Sequence, residues 1–390
     1  MAVTCSRALG LRRSKMNKPK RHHYVPQFYL RRFSTDRRSI ICYNKAKRLL
    51  IPRASIKGQC AIDNYYSWND QVEPSLGILE GYIASLLKEI DNSNTLPPVH
   101  SDEWQILLVF IAIQSARTKM SGDSNNAMTD YFAKTMARGA PELKNINIDE
   151  FEVRETYPTA MPIQISVQSY EYLASLGRCL LVNSEKLPFI CSDNPIILYN
   201  SQRSHWQDRG VIGLDSAGIQ IIFPISPRLA IYLYDSDVYA NPSNTPSRKI
   251  RKDDAAKINL LNFLWSDENV YLSSIDQSHM VHLIAEISDN YMNYERVSIR
   301  ESAPVSRQDG ETSSLILHFR PHAPIELSFG FANYSAAVDK GQVDVRTETN
   351  RSQKRGPVTA RYEFSVENER RHLAGNELTR GLRRILKLAE

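Results

Sequence analysis

The chain has 390 residues, of which 42% are hydrophobic and 24% charged, and its formal net charge is +6 at pH 7. This length and composition predict one large or two medium globular domains with a substantial core. No segment approaches the roughly 20 apolar residues of a membrane helix, so we expect no membrane partner. The five cysteines are widely spaced with no C-x-x-C pair. We therefore expect reduced thiols in a cytoplasmic protein, without a zinc ribbon or a disulfide framework.

Positive charge is concentrated near the N-terminus. Residues 1–53 contain fifteen Lys and Arg but a single acid, Asp36, whereas the remainder has 34 basic and 42 acidic residues. We expect residues 1–19 to be a basic, disordered extension, with Met1 or Met16 as the start. Such a basic segment favours a polyanionic partner such as nucleic acid. The alternative is a solvated tail, which we favour for residues 1–19 taken alone.

Residues 20–33 combine two histidines, a glutamine and four basic residues in fourteen positions. Pro26 favours an extended conformation before it and suits the first position of a helix. His22 and His23 would then lie just before a helix N-terminus, where an anion is favoured. Imidazole can transfer protons near neutral pH, and Gln27 adds a donor and an acceptor. The alternative is one buried structural histidine and one exposed one.

A hairpin and two long helices are predicted next. Residues 39–43 and 49–54 have the pattern of paired strands, and residues 74–90 that of an amphipathic helix with Glu80 at the edge of its apolar stripe. Glu80 either points into a site or is exposed, as edge glutamates commonly are.

The second helix is predicted over residues 102–119, with Ser101 as its N-cap and a nearly all-apolar circumference that indicates burial. Gln114 and Arg117 lie on one face of it. Because an arginine leaving a buried helix needs a partner, Arg117 either binds a ligand phosphate or pairs with an internal carboxylate such as Asp193.

The middle of the chain predicts two further helices, over residues 127–138 and 163–182, and then a strand that ends in the turn Ser192-Asp193-Asn194-Pro195. Asp193 either shapes this turn through bonds to nearby backbone or presents its carboxylate to the histidines. Asn194 is a candidate binding residue beside it.

The remaining elements complete an α+β fold, in which a mainly helical core packs on an antiparallel sheet. We expect a main domain over residues 20–300, followed by a linker and a small, poorly packed and partly disordered C-terminal module. The predicted strands are residues 218–224, 229–234 and 269–273, and the predicted helices are residues 251–264, 278–287 and 367–388.

Three segments together resemble a known family. They are the run His-His-Tyr-Val-Pro-Gln-Phe-Tyr-Leu at residues 22–30 followed by Phe33, the Gln-x-x-Arg-Thr segment at residues 114–118, and the Ser-Asp-Asn-Pro turn. In this order they are similar to a widespread, mostly bacterial and fungal family of domains of unknown function. The resemblance covers about residues 20–290 and implies which residues belong together, but the family has no settled activity to carry over.

No P-loop, dinucleotide-binding, H-E-x-x-H or G-x-S-x-G motif occurs. Three hypotheses therefore stay open. The first is a nuclease-like or phosphate-ester hydrolase with a role in defence or as a toxin, the second a non-catalytic nucleic-acid-binding protein, and the third a purely structural motif. The oligomeric state is not predicted.

The enzyme hypothesis assigns catalysis to His22, His23, Asp193 and Arg117, with one histidine as acid or base and Arg117 stabilising negative charge. A divalent metal held by histidine and aspartate is an alternative arrangement of the same side chains. The expected binding residues are Tyr24, Gln27, Glu80, Gln114 and Asn194.

Overall fold

The computed structural model describes residues 21–206, 210–240, 246–291, 297–301, 305–306, 312–314 and 316–335. The predicted extension at residues 1–19 and the predicted helix at residues 367–388 lie outside these residues. Among the described residues no helix is both long and apolar enough to cross a bilayer.

Helices and mainly antiparallel sheets confirm the predicted α+β class. The helices of the described residues are α1 (Gln27–Leu30), α2 (Val72–Ser93), α3 (Asp102–Ala116), α4 (Lys119–Gly139), α5 (Ala160–Gln168), α6 (Tyr170–Ala174), α7 (Lys252–Trp265) and α8 (Ser278–Ser288).

The strands of the described residues are β1 (Arg21–His23), β2 (Ser39–Asn44), β3 (Leu49–Ser55), β4 (Ala61–Asp63), β5 (Gly177–Val182), β6 (Cys191–Ser192), β7 (Ile197–Tyr199), β8 (Gln220–Pro224), β9 (Leu229–Tyr234), β10 (Tyr239–Ala240), β11 (Ser247–Lys249), β12 (Asn269–Leu272), β13 (Ser298–Glu301), β14 (Val305–Ser306), β15 (Thr312–Ser313), β16 (Ile316–Phe319) and β17 (Asn333–Tyr334).

Two larger sheets organise these strands. The five-stranded sheet has the order β11-β5-β9-β8-β7, and the four-stranded sheet has the order β3-β2-β12-β6. All strand pairs in the two sheets are antiparallel except β11 with β5.

The predicted hairpin forms as β2 and β3, and the predicted buried helix forms as α3. The Ser101 side chain accepts a hydrogen bond from the Trp104 N–H and so caps α3. Most of α3 is buried, as its all-apolar circumference predicts. This helix positions Gln114 and Arg117 at its C-terminal end.

The helix predicted over residues 163–182 is wrong in its second half. Helix α5 ends at Gln168, the short α6 follows, and Gly177–Val182 form β5 inside the five-stranded sheet. Cys179, Leu180 and Leu181 are all buried, and a short, continuously apolar run does not distinguish a buried strand from a buried helix.

Pro26 also differs from its prediction. It is the N-cap of α1 with an extended ψ of 141°, rather than its first helical residue, and α1 is only 4 residues long. The histidines therefore precede a single helical turn, which is too short to provide the anion-binding helix terminus that the sequence predicted.

The part of the expected C-terminal module that the structure describes is well packed. Leu327, Phe329 and Phe331 are buried, and the Tyr199 hydroxyl accepts from the Leu327 N–H at 2.8 Å. The expectation of poor packing is thus wrong for this segment, because its alternating apolar residues cover the five-stranded sheet. The domain boundary at residue 300 stays a prediction.

Candidate active site between β1, α2 and α3

The two histidines of the motif lie on a short strand and face opposite sides of it. β1 pairs with β4, with His22 opposite Ile62 and His23 opposite Ala61. Because successive side chains of a strand point in opposite directions, His22 is buried at 5% exposure and His23 is only half-buried.

His22 is held in place by Tyr66. Its Nδ1 accepts a hydrogen bond from the Tyr66 N–H at 2.8 Å, and the two rings stack with centroids 5.6 Å apart. A ring whose Nδ1 accepts carries its proton on Nε2 when neutral. His22 is thus a positioning group whose tautomer is set by the backbone.

His23 lies nearer to solvent and bonds the turn after β3. Its Nε2 donates to the Lys57 carbonyl at 3.3 Å, which leaves Nδ1 as the nitrogen that can accept a proton. Burial lowers the pKa of His23 below its usual value, Arg21 and Arg117 lower it further, and Glu80 opposes this shift. The imidazole of His23 is therefore mainly neutral at pH 7.

Arg117 is 1% exposed and uses two of its three nitrogens for protein partners. Its Nε donates to Gln114 Oε1 at 2.8 Å, and its Nη1 donates to Glu80 Oε1 at 2.8 Å. Gln114 in turn donates to the Tyr24 carbonyl at 3.0 Å. Arg117 Nη2 is buried and has no hydrogen-bond partner among the described residues.

The structure shows one of the two alternatives for Arg117 and leaves its Nη2 for the other. The guanidinium pairs with an internal carboxylate, but that carboxylate is Glu80 and not Asp193. The Glu80 side chain is 26% exposed, so it connects the buried guanidinium to the surface. Glu80 thus faces Arg117 instead of extending fully into solvent, and its membership of a functional site stays a prediction.

Glu73 is a member of the site that the sequence analysis missed. It lies seven residues before Glu80 on α2, and this spacing places both carboxylates on one helix face. Burial raises the pKa of Glu73, and Glu80 adds to this, whereas His22 and Arg117 lower it. The spacing of Glu73 from Glu80 could have identified Glu73 from the sequence alone. It was missed because Glu73 lies just before residue 74, where the helix was predicted to begin.

These five residues, His22, His23, Glu73, Glu80 and Arg117, are named the histidine–arginine site. They come from β1, α2 and the end of α3 and influence one another electrostatically. The site contains the neutral imidazole of His23, the Glu73 carboxyl with its raised pKa and the buried Arg117 Nη2, which has no partner among the described residues. An imidazole and a carboxyl of this kind can carry out acid–base catalysis, and a buried N–H donor can bind an anion.

Asp193 has a different role. Its carboxylate accepts from the N–H groups of Asp267, Glu268 and Asn269 at 2.8, 2.7 and 2.8 Å. Burial and the nearby Asp267 carboxylate raise the pKa of Asp193 to about 6, against the effect of these three donors. These bonds fit the turn-shaping interpretation, in which Asp193 holds the segment between α7 and β12.

Asn194 and Gln27 also make structural contacts. Asn194 Nδ2 donates to the Trp265 carbonyl at 3.0 Å, and Gln27 Oε1 accepts from Arg31 Nη2 at 2.8 Å. The Tyr24 carbonyl bonds Gln114, and burial, with a further contribution from Asp193, raises the pKa of Tyr24 far above its usual value. Tyr24 therefore lies between the histidine–arginine site and the Asp193 turn.

Metal ligation has no support from these residues. Within the part of the chain that the structure describes, no group of three or more His, Cys, Asp or Glu side chains is arranged to hold a metal ion.

One family model matches more than half of the chain. A family model described as a protein of unknown function, DUF4238, matches residues 21–276. The chain belongs to the DUF4238 family. Its matched region begins at β1 and includes every residue of the histidine–arginine site. No curated protein and no solved structure matches this DUF4238 member significantly.

Proposed function

We propose that the histidine–arginine site hydrolyses a phosphate ester, with nucleic acid as the substrate to test first. The observation that supports this most strongly is the buried Nη2 of Arg117, which has no partner among the described residues. A buried donor left without an acceptor costs about 1–3 kcal/mol. A phosphate oxygen would remove that cost, and guanidinium groups match phosphate geometry.

The proposed reaction uses two proton carriers. His23 Nδ1 accepts a proton from water as its oxygen attacks phosphorus. The bond from phosphorus to the leaving oxygen breaks, and protonated Glu73 gives that oxygen its proton. A phosphodiester thus yields a phosphomonoester and an alcohol, after which His23 releases a proton to solvent and Glu73 takes one up.

The other members of the site have supporting roles in this proposal. Arg117 Nη2 binds the phosphate oxygen on which negative charge increases. Glu80 and Gln114 hold the guanidinium through Nη1 and Nε. His22 is kept in one orientation by the hydrogen bond from the Tyr66 N–H and by stacking on the Tyr66 ring. Asp193 takes no part in the reaction.

The test is a cleavage assay with labelled single-stranded RNA and DNA and with bis-(p-nitrophenyl) phosphate. We compare the wild type with His23→Gln, which removes the base but keeps a polar side chain. The rate should fall about 10²–10⁴-fold, the usual contribution of a general base. His279→Gln is the matched control, because His279 is exposed on α8, and should retain the wild-type rate.

Arg117→Lys separates catalysis from packing. The substitution keeps the positive charge but removes the Nη2 nitrogen that is proposed to bind the phosphate. The rate should therefore fall about 10²–10³-fold, while the protein still unfolds cooperatively. Equal rates for His23→Gln and His279→Gln would refute the proposal. If the wild type cleaves none of the three substrates, the structural interpretation of the motif replaces it.

A further inference from the structure

A surface next to the histidine–arginine site carries strong positive charge. Residues 21–63 contain ten Lys and Arg and two acids, Asp36 and Asp63, and Asp63 lies opposite Arg21 in the β1–β4 pair. Five of these cations are exposed on or beside β1 and the β2–β3 hairpin, and we name them the basic track. They are Arg21, Arg37, Arg38, Arg53 and Lys57.

The track begins at His23. Arg21 Nη2 donates to the Gly58 carbonyl at 3.4 Å, and His23 Nε2 donates to the neighbouring Lys57 carbonyl at 3.3 Å. The turn at Ile56–Gly58 is therefore bonded to both residues. Arg21 and Lys57 thus flank the imidazole that we propose as the base.

The track continues along the end of the hairpin. The Ile56 N–H donates to the Arg38 carbonyl at 3.1 Å, which places Arg38 beside the turn that carries Lys57. Arg37 precedes it with a left-handed φ of 60°. Its N–H donates to Ser34 Oγ at 2.9 Å, so the loop holds Arg37 and Arg38 in a defined conformation.

Asp36 offsets only part of the positive charge of this surface. Its carboxylate accepts from the Arg38 and Ser39 N–H groups at 2.8 and 2.7 Å, and its bonds to Ser39 lower its pKa. Arg53 approaches it at 3.4 Å, but the Arg53 side chain is 81% exposed. Such an exposed pair contributes little, so Arg53 remains available to another anion.

We propose that the basic track binds the sugar-phosphate backbone of a nucleic-acid strand and delivers one phosphodiester to the histidine–arginine site. The delivery step rests on the proposed hydrolysis, whereas the binding step does not. Four of the five cations are arginines, whose planar fork suits phosphate. A row of cations that starts beside His23 fits a polymer that carries many phosphates.

The binding test uses fluorescence anisotropy with labelled 20-nucleotide RNA and DNA strands over a range of salt concentrations. The track variant combines Arg37→Asn, Arg38→Gln, Arg53→Gln and Lys57→Gln, since asparagine tolerates the left-handed conformation. The slope of log affinity against log salt should become shallower by about 3, because each lost contact with a single strand removes about 0.7.

The matched control removes four exposed cations elsewhere and should keep the wild-type slope. It combines Lys88→Gln, Arg138→Gln, Lys144→Gln and Arg154→Gln. Equal slopes for the two quadruple variants would overturn the basic track. Tighter binding to heparin or to vesicles with 30% phosphatidylserine than to either strand would overturn the assignment to nucleic acid.

Binding and hydrolysis are distinguished by His23→Gln. This variant should bind the strands as the wild type does but cleave them more slowly. Salt-dependent binding that is lost in the track variant, with no cleavage by the wild type, would support the track and reject the hydrolase. Cleavage of bis-(p-nitrophenyl) phosphate at wild-type rate by the track variant, with unchanged strand binding, would support the hydrolase and reject the track.

Discussion

At the scale of single residues, the site depends on the difference between its two histidines. His22 is buried and uses Nδ1 to accept from Tyr66, whereas the half-buried His23 keeps Nδ1 for a proton. Adjacent residues of the same type thus have different chemistry, because a strand directs them to opposite sides. Burial shifts the pKa of His23 downward and that of Glu73 upward.

The pH dependence of cleavage tests these assignments. The base must be deprotonated, so the rate rises as pH increases through the lowered pKa of His23, below 6.5. The acid must be protonated, so the rate falls as pH increases through the raised pKa of Glu73, above 4.5. We expect a bell-shaped profile of kcat/KM with its maximum on the acidic side of neutrality.

Glu73→Gln is the diagnostic variant for this profile. It should be slower and should lose the alkaline limb but keep the acidic one, because only His23 then titrates. An alkaline limb that is unchanged in Glu73→Gln would show that another group is the acid.

At the scale of elements, the motif connects β1 to the rest of the fold through the short α1 and the turn after it. The Tyr29 hydroxyl donates to the Pro224 carbonyl at 2.7 Å, and the Tyr29 ring stacks on Phe223 at 5.3 Å. Arg32 bonds the Ile225 carbonyl and pairs with Asp91 at 2.7 Å. The same segment thus contacts β8 and α2, and these contacts position β1 beside Glu73 and Glu80.

Tyr29→Phe tests the stabilising contribution of this contact. The ring stays, but the Pro224 carbonyl loses its hydroxyl donor, so the free energy of unfolding should fall by about 1 kcal/mol. Urea denaturation measures it. Tyr131→Phe, at a partly exposed position on α4, is the control and should change it by less than about 0.5 kcal/mol. Equal effects of the two substitutions would mean that the hydroxyl bond contributes nothing.

At the scale of the whole molecule, the segment around residues 321–335 belongs to the body of the protein. Gly330 N–H donates to Asp254 Oδ1 at 2.7 Å, and Arg248 Nη1 donates to the Phe331 carbonyl at 2.9 Å. Phe329 stacks on Phe331 at 4.8 Å. The segment therefore joins α7 and β11, which lie far from it in the chain.

Phe329→Ala tests whether this segment unfolds with the rest. Phe329 is 4% exposed, so removing its ring should cost about 3–5 kcal/mol through lost burial and the cavity that remains. Urea transitions followed by tryptophan fluorescence and by circular dichroism should coincide and shift together. Glu326→Ala, at an exposed position, should leave both unchanged. A shift of less than about 1 kcal/mol for Phe329→Ala would show that the segment is peripheral.

The sequence by itself determined the elements whose residues follow a clear period. The hairpin β2–β3, the amphipathic α2 and the buried α3 were predicted because apolar spacing, turn residues and the Ser101 cap are local properties. The motif, the Gln114–Arg117 pair and Glu80 were identified for the same reason. Local pattern failed at β5, since a run of buried apolar residues has no period that separates strand from helix.

Only the tertiary structure decided which polar groups act together. Arg117 pairs with Glu80 rather than Asp193 because α2 packs against α3, and Asp193 turns toward the backbone after α7 because three N–H groups there need an acceptor. Such partners are distant in the chain. A buried charge must lie beside a group that compensates it, and the packing of the elements determines which group that is. Residue types and spacing supply the candidates, and packing selects among them.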